Sequence, residues 1–522
     1  MPKRLLIFLA ALLVAAAGCV RNQPEVIIIT ATFLPEPTPV ALVPDQMPAP
    51  PIEQTLLANE PPANQTPDPA RPGAVSAARE YVVQPGDTLS GIAVSYGTTI
   101  ETLIQLNDIA NPDALEVGQI IRLPDPPTET TSDFKILPDA RVVFGPRATS
   151  FDIAGFIAQQ PGFIRTATDT INDEDFTAAE VVERVAYEYS VDPRLLLALV
   201  ELKAGWLSEP DPADEKKAYP IGIGDSPFGF TRRGLYRQLA WAADQINAGY
   251  YGWKHRGLST LEFSGGIRLL YSPSLNAGTV ALQFLLSQLS PYATWEREIG
   301  PDGLFAIYSR YFGNPFDGGA GEVIPPDLEQ PPLGLPFPRG ETWYYTGGPH
   351  GGWGTGSAWA AIDFAPPDDP ATKTTACYVS DHFAVAVADG VVARTSEGAV
   401  VLDLDGDGDE TTGWTILYLH LAEQDRVTEG TVLRQGDPVG RPSCEGGFSN
   451  GTHMHIARRY NGEWIPAYCE SCAPGAQMPP FVMDGWMAVG LSNQEYQGYL
   501  MKEGQRKVAE QGRDIADNEV SW

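Results

Sequence analysis

The sequence predicts a multidomain protein of the α+β class, and three observations support this prediction. The chain has 522 residues, enough for about three domains. A proline-rich tract follows its first segment, and apolar residues with helical spacing dominate residues 130–320. Short alternating strands dominate residues 330–490. The folded regions should therefore be a small βααβ module, a mainly α-helical middle domain and a domain rich in antiparallel β-sheet.

Residues 1–19 have the features of a bacterial export signal. Lys3 and Arg4 precede an apolar stretch that is too short to span a bilayer as a stable helix. The sequence Ala-Ala-Gly-Cys at residues 16–19 resembles the lipobox of bacterial lipoproteins, which implies that Cys19 is lipidated and anchors the chain to the membrane. An ordinary secretory signal with a chance cysteine is the alternative. Residues 20–78 are rich in proline and form an extended, disordered linker.

The strong acidity of the chain limits its partners. The formal net charge is -31, which argues against nucleic acid and against electrostatic attraction to anionic wall polymers. Affinity for a cell wall must therefore come from specific sites.

Residues 79–125 form a small module with a strand at 81–83, a helix at 100–107 and a closing strand at 119–123. Its opening run Val-Gln-Pro-Gly-Asp-Thr-Leu at residues 83–89 resembles the LysM domain. This resemblance implies that the module binds glycans containing N-acetylglucosamine; a spacer with weak affinity is the alternative. The glycan-binding residues that it implies are Gly86, Asp87, Thr88, Leu89 and Asn107.

The middle region, residues 130–320, contains predicted helices at 178–189, 193–202, 234–249 and 277–289. The second of these resembles the active-site helix of lysozyme-like lytic transglycosylases. Lys203 stands where that family has its catalytic glutamate, and Glu201 should face away from the groove. The domain is therefore expected to be non-catalytic and to hold glycan or to separate its neighbours.

Residues 451–456, Gly-Thr-His-Met-His-Ile, predict a strand on which His453 and His455 share one face while Met454 points to the core. A second predicted strand ends in His420, and a Gly-Gly-Pro-His run ends at His350, before Asp363. The chain has 6 histidines, and four of them lie in these places. Imidazole and carboxylate groups on rigid strands are suited to zinc.

This set resembles the lysostaphin/LytM-type zinc endopeptidases of bacterial cell walls, over residues 335–490. The family usually has a histidine four residues before its aspartate, but here that position is Trp359. The longer spacing from His350 to Asp363 resembles the β-lytic branch. The resemblance implies that His350, Asp363 and His455 bind zinc, whereas His420 and His453 are catalytic and flank the attacking water. Three protein ligands leave one tetrahedral position open, as in catalytic zinc sites.

Four cysteines remain once Cys19 is set aside, and an even number in an exported chain indicates disulfides. The preferred pairing is Cys377 with Cys444 and Cys469 with Cys472; a zinc knuckle at the second pair is the alternative.

Carboxylates at alternate positions of residues 403–410 are suited to binding calcium. The EF-hand pattern fails, because its twelfth position holds Trp414 instead of a glutamate. A solvated acidic hairpin is the alternative. The possible calcium ligands are Asp403, Asp405, Asp407 and Asp409.

The leading functional prediction is a membrane-tethered zinc endopeptidase, targeted by LysM, that cuts peptide cross-links of peptidoglycan outside the cytoplasm. Two alternative functions are a non-catalytic wall-binding scaffold that activates other hydrolases and a protease that acts on Gly-rich proteins. Residues 491–522 are expected to form a C-terminal extension.

Overall fold

The computed structural model describes residues 80–522, apart from 84–86, 90–91, 94–95, 97, 99, 113–114, 126, 227–228, 264–265, 318–322, 370, 470–477, 492–493 and 513–515. The predicted signal segment with Cys19, the linker, Gly86 and Cys472 lie outside the described residues. Within the described part of the chain, none of the helices combines the length and apolar character needed to cross a bilayer.

The N-terminal module has the predicted strand–helix–strand order. Strand β1 (Glu80–Val82) pairs antiparallel with β2 (Ile120–Arg122), and helix α1 (Ile100–Asn107) packs on them. Residues 89, 92 and 93 are helical and belong to the first predicted helix, which is only partly described. Leu89, Leu103 and Ile121 are buried in a small core.

The middle domain is mainly helical, as predicted. Its helices are α2 (Ile153–Ala158), α3 (Ala178–Tyr189), α4 (Pro193–Ala204), α5 (Asp214–Ala218), α6 (Leu235–His255), α7 (Ala277–Leu289), α8 (Tyr292–Glu298) and α9 (Leu304–Phe312). It also has two antiparallel hairpins, β3 (Thr168–Ile171) with β4 (Glu174–Thr177) and β5 (Thr260–Glu262) with β6 (Arg268–Leu270). Single 3₁₀ turns form at Asp139–Arg141 and Phe163–Arg165.

Local sequence signals explain where two of these helices begin and end. A capping box between Thr177 and Glu180 starts α3, because each residue satisfies a free backbone N–H of the other. The side chain of Asp192 caps α4, and Gly205 ends it in the left-handed conformation. The helices predicted at 178–189 and 277–289 are therefore confirmed in their bounds.

The C-terminal domain is built on a nine-stranded antiparallel sheet. Its strands are β7 (Thr342–His350), β8 (Ala361–Ala365), β10 (Gly390–Ser396), β11 (Ala399–Asp403), β12 (Trp414–Leu419), β13 (Val432–Leu433), β15 (Met454–Tyr460), β16 (Glu463–Trp464) and β21 (Glu519–Ser521). The order across the sheet is β13-β10-β11-β12-β15-β8-β7-β21, and β16 pairs with β15.

Two smaller sheets complete this domain. Strands β9 (Ala384–Val385) and β14 (Pro438–Gly440) form one of them. The other contains β17 (Val482–Met483), β18 (Trp486–Leu491), β19 (Gln494–Lys502) and β20 (Gln505–Val508).

The predicted boundary between residues 490 and 491 is wrong, because it falls inside β18. The final strand β21 pairs with β7, so the C-terminal residues belong to the same domain instead of forming an extension. The physical reason is that β7 would otherwise be an exposed sheet edge with unpaired backbone groups.

The hydrophobic core of the helical domain extends onto one face of the main sheet of the C-terminal domain. On three adjacent strands of the main sheet, Val400, Tyr418 and Ile456 point into the core of the C-terminal domain. Val401, Leu417 and Ala457 point to the opposite face and join the core of the helical domain. Because successive residues of a strand alternate between faces, the helical domain covers one face of the sheet.

Buried ion pairs also connect these domains. Lys254 of α6 pairs with the fully buried Glu463 at 2.6 Å. Glu410 pairs with Arg394 and Arg459, and Arg459 also donates to the carbonyl oxygen of Tyr187 at 3.5 Å. Burial opposes ionisation of Glu410, but the two guanidinium groups outweigh it and lower the pKa of this carboxyl.

Candidate metal centre

Three polar side chains meet on three adjacent strands of the main sheet. His350 ends β7, Asp363 lies in the middle of β8, and His455 is the second residue of β15. Asp363 and His455 are directly opposite each other across the β8–β15 pair. Gly347 lies opposite Asp363 on the other side, and a Cβ there would lie 2.3 Å from its carboxylate. A glycine is therefore needed at this position to leave room for the carboxylate.

The three side chains direct their ligand atoms at one point. Nε2 of His350 lies 2.9 Å from Nδ1 of His455. Oδ1 of Asp363 lies 3.2 Å from the first nitrogen and 3.3 Å from the second. Two tetrahedral ligands about 2.0–2.1 Å from a zinc ion are separated by roughly 3.3 Å. The spacing therefore fits a single tetrahedral ion.

Backbone carbonyl groups fix the orientation of both imidazole rings. Nδ1 of His350 donates to the carbonyl oxygen of Gly348 at 2.8 Å, and Nε2 of His455 donates to that of Gly352 at 3.1 Å. Each ring therefore directs its other nitrogen at the point of convergence. Such outer hydrogen bonds are typical of histidines that bind metal.

The electrostatics of the cluster favour an ionised carboxylate. Burial opposes ionisation of Asp363, but His350 and His453 outweigh it and hold the pKa of this carboxyl well below its usual value. Burial lowers the pKa of His455 despite the opposing effect of Asp363. Burial also opposes protonation of His350, yet Asp363 raises its pKa overall.

The residues present fit a zinc ion. Oδ1 of Asp363 is buried and makes no hydrogen bond of good geometry within the described part of the chain. Two imidazole nitrogens that face each other, with an ionised carboxylate oxygen beside them, are a donor set that zinc prefers. The predicted group of His350, Asp363 and His455 is thus brought together as a possible metal site.

His420 and His453 lie beside this cluster without joining it. Their ring centroids are 4.6 Å apart, and Nε2 of His453 lies 3.8 Å from Oδ1 of Asp363. Nδ1 of His420 donates to the carbonyl oxygen of Glu445 at 2.9 Å, and Nδ1 of His453 donates to that of Gly451 at 2.7 Å. In the neutral form of either ring, the lone pair therefore lies on Nε2.

His420 has a backbone conformation that is uncommon for this residue. It follows the last residue of β12 with a φ of 65°, in the left-handed region. Burial, together with His453 and His455, holds the pKa of His420 well below its usual value. The ring is therefore neutral at neutral pH and able to accept a proton.

One exposed aromatic residue at the cluster was missed by sequence reasoning. Tyr496 of β19 stacks on His350 with ring centroids 4.2 Å apart, and it is 50% exposed. No sequence signal identified Tyr496, because its approach to His350 depends on the packing of β19 against β7.

The predicted disulfide between Cys377 and Cys444 is present, with Cα atoms 5.6 Å apart. Beside it, Thr452 accepts from the backbone N–H of Tyr378 at 2.9 Å and donates to its carbonyl oxygen at 2.7 Å. Cys469 is also disulfide-bonded, but its predicted partner Cys472 is outside the described residues, so this pairing stays a prediction.

The acidic loop following β11 brings Asp403, Asp405 and Asp407 together. The carboxylate of Asp403 is buried and accepts backbone N–H groups from residues 405, 406 and 408 at 2.9–3.1 Å. Asp409 accepts from the backbone and hydroxyl of Thr411. These hydrogen bonds order the loop, and no comparison supports calcium binding here, so it stays a prediction.

The predicted glycan-binding residues of the N-terminal module have different surroundings. The side chain of Leu89 is buried in the core, and the amide of Asn107 bonds the backbone of Leu103 and Arg122. These contacts give both residues a structural role in the module, and a role for them in glycan binding stays a prediction. Asp87 accepts from the hydroxyl of Tyr81 at 2.6 Å, and Thr88 is exposed. Glycan binding through Asp87 and Thr88 stays a prediction.

Two family models match parts of this chain. Residues 81–124 match the model of the LysM domain, and residues 135–326 match the model of the LasA N-terminal domain. The amidase XlyB of Bacillus subtilis is 50% identical over 56 residues, which are 10% of this chain and 18% of that protein. The solved structure of pseudoalterin, a novel M23 metalloprotease from the deep sea, is 22% identical and covers 35% of this chain and 96% of its own, with a TM-score of 0.27.

These matches support a chain that combines a LysM module with a domain similar to protease LasA, a LytM-type peptidase. Protease LasA of Pseudomonas aeruginosa is similar to about two thirds of the chain. It is 24% identical over 360 residues, which are 65% of this chain and 77% of that protein. The lysozyme-like character of the middle region stays a prediction.

Proposed function

We propose that this protein is a zinc-dependent endopeptidase that hydrolyses peptide cross-links of bacterial peptidoglycan. The observation that carries the proposal is the convergence of Nε2 of His350, Oδ1 of Asp363 and Nδ1 of His455 within hydrogen-bonding distance of one another. Similarity to protease LasA supports the reaction type, and the LysM match supports the wall as its target.

His350, Asp363 and His455 would hold the zinc, which when bound would supply a Lewis acid that activates water and polarises the scissile carbonyl. His420 and His453 carry out the proton transfer. Each has its Nδ1 bound to a backbone carbonyl oxygen, so Nε2 is available to accept the proton of the attacking water. The same ring, once protonated, can stabilise negative charge on the carbonyl oxygen or protonate the leaving amine.

The proposal also includes the position of the enzyme. The LysM module would hold the protein on glycan strands, and a lipid on Cys19 would keep it at the outer face of the membrane. Such tethering would compensate for the net charge of -31, which gives no electrostatic attraction to anionic wall polymers.

The test is digestion of purified peptidoglycan by the full-length protein in detergent, with mass spectrometry of the released fragments. We expect peptides that are cleaved within their cross-links, and no such fragments from His350→Ala. His382→Ala is the matched control, because His382 is a histidine of the same domain that pairs with Glu341.

Two outcomes would overturn the proposal. Wall-bound protein that releases no peptide under any condition, while stimulating a second hydrolase, would establish a scaffold. Cleavage of a Gly-rich protein substrate without cleavage of peptidoglycan would establish a different substrate class.

A further inference from the structure

We propose that Asp244, in the helical domain, is a positioning residue for the metal centre of the peptidase domain. It holds the loop that presents the carbonyl oxygen of Gly352 to His455. This inference rests on the proposed function and deepens it, because it makes the helical domain part of the peptidase site instead of a spacer.

The loop lies between the two strands that carry His350 and Asp363, and Asp244 on α6 contacts its tip. The carboxylate accepts the backbone N–H of Gly356 and the hydroxyl of Thr355, both at 2.8 Å. A Cβ at Gly356 would lie 1.8 Å from the carbonyl oxygen of Asp244. The loop backbone therefore lies directly against the helix, at a distance that only glycine permits.

Arg256, just after the end of α6, binds the same tip through its carbonyl groups. Its guanidinium donates to the carbonyl oxygens of Gly356 and Ser357, each at 3.2 Å. The helical domain thus supplies an acceptor for the N–H of the loop tip and donors for its carbonyls. Hydrogen bonds to charged partners are stronger than those between neutral groups.

The loop tip is linked rigidly to Gly352. The backbone N–H of Gly352 donates to the carbonyl oxygen of Ala358 at 3.2 Å, and that of Trp353 donates to the hydroxyl of Ser357 at 3.1 Å. Trp353 is buried and belongs to the core of the helical domain. The residues on both sides of the tip are therefore fixed to one another.

Gly352 completes the connection to the metal centre. Its carbonyl oxygen accepts from Nε2 of His455 at 3.1 Å, which leaves Nδ1 without a proton and directed at His350 and Asp363. If the loop moved, His455 would lose this acceptor, and its ring would be free to rotate or to change tautomer. Partners of this kind tune metal affinity by about 10–100-fold.

The experiment measures zinc affinity by chelator competition on the full-length protein, together with the visible spectrum of the Co²⁺-substituted protein. We expect Asp244→Ala to weaken zinc binding by about 10–100-fold and to change the Co²⁺ spectrum. Asp244→Asn keeps an acceptor oxygen for Gly356 and should restore most of the affinity.

Asp169→Ala is the matched control. Asp169 also accepts a backbone N–H, that of Tyr236 at 2.8 Å, but it does so near the start of α6. It should lower thermal stability without changing zinc affinity or the Co²⁺ spectrum. If Asp244→Ala does not fold, Thr355→Val removes one donor from the peptidase side and should weaken zinc binding in the same direction.

The inference is wrong if Asp244→Ala, or Thr355→Val where the first variant does not fold, binds zinc as tightly as the wild type. It is also wrong if Asp169→Ala weakens binding equally, because the effect would then be general loss of stability. Failure of the proposed function is distinguishable, since the wild-type protein itself would then bind no zinc.

Discussion

Removal of the disulfide between Cys377 and Cys444 should destabilise the peptidase domain strongly. The bridge joins the loop after β8 to the loop that carries Phe448 and leads to His453. Its cysteines have a sequence separation of 67 residues. A double Cys→Ala variant removes the bridge without leaving a reactive thiol at either position.

The magnitude follows from the length of the closed loop. In the chain-entropy account, a crosslink across a loop of this length raises the free energy of the unfolded state by about 4 kcal/mol at 25 °C. For a domain of 150–250 residues, each kcal/mol shifts the melting temperature by about 2–4 °C, so the variant should melt about 8–16 °C lower. The hydrogen bonds of Thr452 to the facing loop remain in the variant and keep the native geometry accessible.

The assay is calorimetry of the full-length protein at a fixed free zinc concentration, because metal binding also shifts melting temperature. Dithiothreitol serves as a second perturbation, and it should lower the wild-type transition more than that of the variant. A decrease of less than about 2 °C in the variant would show that the bridge does not constrain the unfolded chain as this reasoning requires.

Three further predictions concern residues outside the metal-binding set. Alanine at His420 or His453 should leave zinc bound but slow peptide cleavage by roughly 10²–10⁴-fold; loss of metal in both variants would contradict the division of roles. The pKa of Glu410 is lowered on folding, so its ion pairs stabilise the folded state fully at a pH above its ordinary pKa of 4.5. This stabilisation is lost as the pH falls below that value. Glu410→Gln should therefore lower the melting temperature at neutral pH and flatten its decline in acid; an unchanged pH profile would refute this. Cleavage of glycan strands needs a carboxylic acid, and the carboxylate of Glu201 is buried against the backbone of Leu207. Peptidoglycan treated with His350→Ala protein should therefore show no new reducing or anhydromuramic sugar ends. Glycan cleavage that disappears on adding Glu201→Gln would overturn this prediction.

Sequence reasoning grouped the candidate metal-binding residues by combining the strand period with the resemblance to LytM-type peptidases. His453 and His455 alternate with a buried Met454, and the Gly-Gly-Pro-His run ends in the histidine that reaches Asp363. These signals lie within short segments, where the alternation of side chains is a local property of the backbone. The replacement of the usual ligand position by Trp359 was recognised from the family resemblance.

The features that sequence reasoning missed depend on contacts between distant segments. Tyr496 reaches His350 only because a separate four-stranded sheet packs against the main sheet. The final strand β21 has a polar sequence, and only its pairing with β7 reveals that it is part of the domain. Asp244 looks like an ordinary surface residue of a helix until its contact with Gly356 is seen.

Lys203 was recognised in the sequence, but its contacts were not. Its position in the predicted glutamate site indicated that the helical domain lacks a general acid. In the structure its ammonium group pairs with Glu298 at 2.7 Å and donates to the hydroxyl of Ser290 at 2.8 Å. The sequence identified the substitution, whereas these partners, which give Lys203 a structural role, come from the packing of α4 against distant residues.

The metal content of the full-length protein tests the central claim most directly. Elemental analysis after dialysis should find one zinc per wild-type chain and one per His382→Ala chain, because His382 pairs with Glu341 outside the cluster. His350→Ala should lose most of its zinc, since it removes one of three protein ligands. A full equivalent of zinc in His350→Ala, together with undiminished cleavage, would contradict the account.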